Sequence, residues 1–235
     1  MSARPCLAFL CAHLTDERLY AAQIAVLSDA FDCRVFVFRD EDSLGAMAET
    51  VLAGTPPRFT LVGLSLGGYA AFEVARRQPQ RLERLALFDT RASTDSEAQR
   101  AGRHADIEKV RAGGIEALIP ELPGRWLLPA HTARADLLAL MADMAKSVGA
   151  RGQRNQQLAM LARPDSHADL KQLHIPALVL CGEQDLATPV AEHKAMAACL
   201  AGSRLEIVPQ CAHLSTIEQP DAVNRILVDW LAATG

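Results

Sequence analysis

Phe59-Thr60-Leu61-Val62-Gly63-Leu64-Ser65-Leu66-Gly67-Gly68-Tyr69-Ala70-Ala71-Phe72-Glu73-Val74-Ala75-Arg76 reads as a β-strand running straight into a helix. The stretch to Leu64 is apolar and rich in β-formers, and the run from Tyr69 has helical composition with no Gly or Pro. Only a tight turn fits between them. Side chains two positions either side of Ser65 would collide with the adjoining strand and helix, so glycine is needed there. A serine held in such a turn projects its hydroxyl clear of the sheet, with the amino end of a helix beneath it. Ser65 is therefore the candidate nucleophile.

Working outward, apolar runs alternate with helical patterns. Strands are expected at Cys6–Cys11, Arg34–Phe38 and Leu82–Phe88, then at Ala177–Cys181 and Arg204–Val208. Helices are expected at Asp16–Phe31, Ser43–Leu52, Val190–Leu200 and Ala222–Ala232. Strands linked by helices demand a mostly parallel sheet covered on both faces. Residues 94–174 break the alternation, being charged and helical in pattern with no convincing strand. They read as an inserted helical cap, split around Pro120, Pro123 and Pro129 into a part before Pro120 and a helix over Ala133–Val148. The α/β core is then 1–93 with 175–235.

Composition bounds the function classes. A charged fraction of 22% with a formal charge of -4 offers no basic stripe, so phosphate-driven nucleic-acid binding lacks electrostatic support. The opening residues Met1 to Leu10 are too short an apolar stretch for a secretory signal, and the other apolar runs are strand-sized, so no membrane segment and a cytoplasmic protein are expected. Six cysteines without C-x-x-C spacing suit reduced thiols, and seven histidines form no metal-binding motif.

A serine hydroxyl needs a histidine to accept its proton and an acid to orient that histidine. His213 follows the strand Leu205–Val208 by a short loop, and Asp185 follows the strand ending at Cys181 in the same way. Binding sites of open α/β sheets lie beyond the carboxyl ends of the strands, so all three side chains fall on one edge. Asp89, at the end of the strand Leu85–Phe88, competes for the role of acid. Asp185 has the longer loop and hence the reach, although it could instead cap the helix after Thr188-Pro189. His13 precedes the serine, His104, His131 and His167 lie in the cap, and His174 and His193 flank elements as surface residues.

Gly63-x-Ser65-x-Gly67-Gly68, Gly182-x-x-Asp185 with Thr188-Pro189, and Ala212-His213-Leu214-Ser215-x-x-Glu218-Gln219-Pro220, in that order, resemble the α/β-hydrolase superfamily. The nearest likeness is to small esterases similar to the pimeloyl-carrier-protein methyl ester esterase. The resemblance implies the α/β-hydrolase fold, a helical cap over the site, no cofactor, and hydrolysis of a small-molecule ester or thioester through an acyl-enzyme. It also implies an oxyanion hole built from the backbone N–H groups of Leu66 and His13. That family usually has glycine where this chain has Ala12, and alanine tolerates positive φ poorly. Ala12 therefore keeps open a second class of function, a catalytically weak or silent small-molecule binding protein on the same fold.

Overall fold

The computed structural model describes residues 4–234; residues 1–3 and 235, part of the expected core span, lie outside the described residues. Six strands form one all-parallel sheet: β1 (Cys6–Leu10), β2 (Asp32–Phe36), β3 (Phe59–Leu64), β4 (Leu82–Phe88), β5 (Ala177–Gly182) and β6 (Arg204–Val208), in the order β2-β1-β3-β4-β5-β6. Each predicted strand is present. Only the second moves appreciably, by two residues toward the amino terminus.

The helices are α1 (Ala21–Leu27), α2 (Leu44–Ala53), α3 (Leu66–Arg77), α4 (Glu97–Gly113), α5 (Leu122–Trp126), α6 (Ala135–Leu161), α7 (His167–Leu170), α8 (Val190–Cys199), α9 (Ser215–Glu218) and α10 (Pro220–Ala233). The long helix expected over Asp16–Phe31 is instead a 3-10 turn, Glu17–Tyr20, followed by the short α1. Asp16 caps that turn by accepting the Arg18 N–H, and Ser43 caps α2 by accepting the Ala46 N–H.

Alternate strand residues feed two cores. Leu7, Phe9, Val62, Leu64, Ala86, Phe88, Leu178 and Leu180 pack with α1 and α10, whereas Ala8, Leu10, Leu61, Leu85, Leu87 and Val179 face α2, α3 and α8. Side chains such as Phe9 and Leu61 are fully buried, each worth about 1.5–3 kcal/mol relative to exposure. Among the described residues no helix is long and apolar enough to cross a membrane.

Between β4 and β5 every regular element is a helix or a 3-10 turn, and the segment departs from expectation in α6. That helix does not end at Val148. Gly149, at φ 71 and ψ 178, interrupts the helical backbone in a conformation only glycine adopts easily, and the helix then resumes to Leu161. The resumed part buries polar residues, Gln153, Asn155, Gln156 and Gln157. Asn155 Nδ2 donates to the Arg39 and Asp40 carbonyls, and Gln156 Nε2 to that of Phe38 at 2.6 Å. Apolar periodicity could not find this stretch, because its buried face is amide rather than hydrocarbon.

Candidate active site

The chain runs from β1 outward to β2 and returns across to β3, so the topological switch lies between β1 and β3, where the loops after both strands open a crevice. Ser65 stands at that crevice with φ 53 and ψ -111, a backbone conformation unfavourable for any residue with a side chain. The surroundings hold it there. Its N–H donates to the Phe88 carbonyl at 3.0 Å, and its own carbonyl accepts the Thr90 hydroxyl at 2.8 Å. A Cβ on Gly63 would strike the Gly67 carbonyl, one on Gly67 the Leu10 carbonyl, and one on Gly68 the Thr90 side chain. Gly63 and Gly67 thus let α3 sit directly on β3 and β1, and Gly68 lets it meet Thr90 after β4.

His213 Nε2 lies 2.9 Å from Ser65 Oγ, and His213 Nδ1 lies 2.8 Å from Asp185 Oδ2. Ser65, Asp185 and His213 are 8%, 2% and 4% exposed, so water competes poorly for these contacts. Asp185 also accepts the N–H groups of Ala187 and Thr188 and the Thr188 hydroxyl, at 2.8, 2.9 and 2.6 Å. It therefore both caps its turn and faces the imidazole; the two readings of Asp185 are compatible. Burial pushes its pKa up, but the charge and hydrogen bonds of His213 and Thr188 prevail and hold it below its ordinary value. Burial likewise opposes the imidazolium of His213, while Asp185 outweighs it and raises the His213 pKa above 6.5.

The His213 loop is pinned from two sides. The His213 N–H donates to the Trp126 carbonyl at 3.0 Å. Buried Glu218 accepts the Ala212 N–H at 3.0 Å with one oxygen, and the Leu128 N–H and His131 Nδ1 with the other at 2.7 and 2.8 Å. Glu218 is thus the tie between the His213 loop and the segment after α5.

Asp89 does not reach the imidazole. Its Oδ1 accepts the Gly182 N–H at 3.0 Å, and its Oδ2 accepts the Ser215 N–H and hydroxyl at 3.1 and 2.5 Å. Fully buried and close to Asp185, it has its pKa pushed up to about 8. His193 corrects the reading of it as a surface residue. It is fully buried, its Nε2 accepts the Thr90 N–H at 3.0 Å, and burial pulls its pKa down to about 4. The helical periodicity of α8 is weak enough that its inward face could not be told from the outward one by sequence.

The loop after β1 places Ala12 and His13 beside the elbow, both buried. Ala12 does not have a positive φ; the left-handed residue is Leu14, at φ 56. Among the described residues, neither the Leu66 nor the His13 backbone N–H has a protein acceptor. Gln156 fixes the loop: its Oε1 accepts the Leu14 N–H at 2.9 Å and the His13 Nδ1–H at 2.7 Å. Burial, reinforced by Arg103, pulls the His13 pKa down to about 3, so the ring is neutral and its Nε2 accepts from Gln157 Nε2 at 3.3 Å. Sequence reasoning missed Gln156 and Gln157, whose only signal is the amide-rich run Gln153-Arg154-Asn155-Gln156-Gln157, broken by one arginine.

Ser65 and His213 open onto a cavity of about 280 Å³ walled by His13, Tyr69, Trp126, Gln157, Met160 and Thr188, with Arg91, Arg103 and Arg125 also in its lining. Among the described residues no group of His, Cys, Asp or Glu is arranged to hold a metal ion.

A model of the alpha/beta hydrolase family matches residues 8–226. A protein described as the carbamate hydrolase RutD in Agrobacterium fabrum is 29% identical over 228 residues, spanning 89% of this chain and 86% of that protein. The pimeloyl-[acyl-carrier protein] methyl ester esterase of Nitrosomonas europaea is 28% identical over 190 residues, 77% and 74% of the two chains. Among solved structures, the enol-lactonase from Burkholderia xenovorans LB400 superposes with a TM-score of 0.90 at 27% identity, covering 98% of this chain and 92% of its own.

Proposed function

Since the chain belongs to the alpha/beta hydrolase family, we propose that it is a serine hydrolase that cleaves a small carboxylic ester or thioester through an acyl-enzyme. The observation that carries this reading is the unbroken line Ser65 Oγ, His213 Nε2, His213 Nδ1, Asp185 Oδ2, with contacts of 2.9 and 2.8 Å. Relatives named for methyl ester, enol-lactone and carbamate hydrolysis differ in the bond they break, so the class of reaction transfers more safely than any one substrate.

In this reading the Asp185 carboxylate accepts the Nδ1–H of neutral His213, which leaves Nε2 as the acceptor facing Ser65. Nε2 takes the hydroxyl proton as Ser65 Oγ attacks the acyl carbon, and returns it to the leaving alcohol or thiol. Water then repeats the sequence on the acyl-enzyme and releases the acid. The oxyanion sits between the N–H groups of Leu66 and His13, which have no acceptor to give up among the described residues. The helical residues 94–174 act as a cap that walls the cavity through Trp126, Gln157 and Met160. A silent binding protein loses the feature that spoke for it, because Ala12 lies outside the left-handed region.

Treatment with a fluorophosphonate followed by peptide mass spectrometry tests the reading. A single adduct on the peptide holding Ser65, blocked in His213→Ala, is expected; labelling elsewhere or nowhere would refute it.

A further inference from the structure

The cavity above Ser65 is lined by three guanidinium groups, Arg91, Arg103 and Arg125, against one carboxylate, Asp106, in a chain whose formal charge is -4. Arg125 is matched by Asp106 and Glu121, and Glu121 is shared with Lys109. The other side is not matched. Arg91, Arg103 and Arg163 converge on the single carboxylate of Asp95, at 2.7, 2.6 and 2.9 Å, so the group carries an excess of positive charge.

The members of that group differ in what remains open. Arg163 also donates to the Ser93 and Met160 carbonyls and lies over the Tyr69 ring at 4.4 Å, which uses it structurally. Arg103 donates to Gln157 Oε1 at 3.0 Å, one side chain away from His13 and the proposed oxyanion loop. Arg91 is 6% exposed, yet it donates only to Asp95; its Nε is buried with no partner, and its Nη1 has no acceptor among the described residues. A buried guanidinium with donors unmet is incomplete, and its free Nη1, beside the charge shared with Arg103, suits a carboxylate oxygen.

We infer that the substrate carries a carboxylate distal to its scissile acyl group, and that the Arg91–Arg103 wall of the cavity binds it. This rests on the serine-hydrolase reading and narrows its substrate to half-esters of short dicarboxylic acids or lactones bearing a carboxylate. Hydrolysis breaks the acyl C–O bond; water supplies OH to the acyl carbon and H to the alcohol, and the product acid ionises to a dicarboxylate. A cavity of about 280 Å³ matches an acid of short chain.

The test compares monomethyl glutarate with its neutral isostere, methyl 4-carbamoylbutanoate. The half-ester should show kcat/KM at least about tenfold higher at low ionic strength, with the gap narrowing as salt is added. Arg91→Gln should bring the ratio of the two values to within about twofold. Equal or faster turnover of the isostere, or an unchanged ratio in the variant, would overturn the inference. A second measurement needs no variant: glutarate, but not glutaramide, should slow fluorophosphonate labelling of Ser65 in the unmodified protein, and equal protection by both or by neither counts against it. Absence of any label on Ser65 would instead overturn the serine-hydrolase reading itself.

Discussion

Asp89 binds Ser215, through both its N–H and its hydroxyl, rather than the imidazole of His213. Because its other oxygen holds the Gly182 N–H, one buried carboxylate joins the end of β5, from which the Asp185 loop leaves, to the start of α9, at which the His213 loop ends. Of the two aspartates that compete for the proposed role of acid, Asp185 faces the ring and Asp89 ties the loops.

Asp185→Asn should lower kcat by about 10³- to 10⁴-fold, because an amide cannot both accept the Nδ1–H and stabilise the imidazolium. Asp89→Asn should lower kcat less than about tenfold. It should instead cost about 1–3 kcal/mol of stability, since its NH₂ would face a backbone N–H donor. Steady-state rates and urea midpoints on both variants separate the roles; reversed effects would show the acid misassigned.

The rate should rise with pH along a limb set by His213, which must be neutral to accept the serine proton. Asp185 raises the His213 pKa, so the folded midpoint lies above 6.5, and activity is lost as pH falls through it. Asp185→Asn removes the largest of the charges that oppose burial, leaves only the more distant Asp89 and Glu218 against it, and should move the limb to lower pH. A kcat/KM profile from pH 5 to 9 checks both shifts. A flat profile, with chemistry rate-limiting, would contradict a histidine base.

Ala12→Gly should leave the rate unchanged and lower stability by about 0.4–1 kcal/mol, because Ala12 already occupies a conformation alanine tolerates and glycine only adds freedom to the unfolded chain. Turnover of one ester together with a urea midpoint measures this. A faster variant would mean that Ala12 does constrain the proposed oxyanion loop.

Gln156→Leu should lower kcat by up to about 10²- to 10³-fold, the worth of one oxyanion donor, by releasing the Leu14 N–H and the His13 ring that hold the loop. KM should move less. The parameters are read from saturation curves on a short-chain ester, and a loss confined to KM would show that Gln156 serves binding rather than the oxyanion.

The strands, the elbow and the three facing side chains were legible because each has a local signature: β-forming runs, glycines flanking Ser65, and loops of matching length before Asp185 and His213. What stayed hidden is long-range and polar. Nothing in the amide run of the second half of α6 announces that Gln156 reaches 143 residues back to His13, or that Asn155 seals the Arg39–Asp40 backbone. The burial of His193 against Thr90 is a contact 103 residues apart and leaves no periodic trace. The worry over Ala12 failed for a related reason: the left-handed turn falls at Leu14, and the family pattern alone could not say at which residue this loop bends.

The most direct measurement is the turnover of p-nitrophenyl acetate by Ser65→Ala beside the unaltered protein, with urea midpoints for both. Ser65 contributes an oxygen to the cavity and little to the core, so the variant should keep its midpoint while kcat falls by at least about 10³-fold. Turnover at the unaltered rate in a folded Ser65→Ala protein would contradict the account.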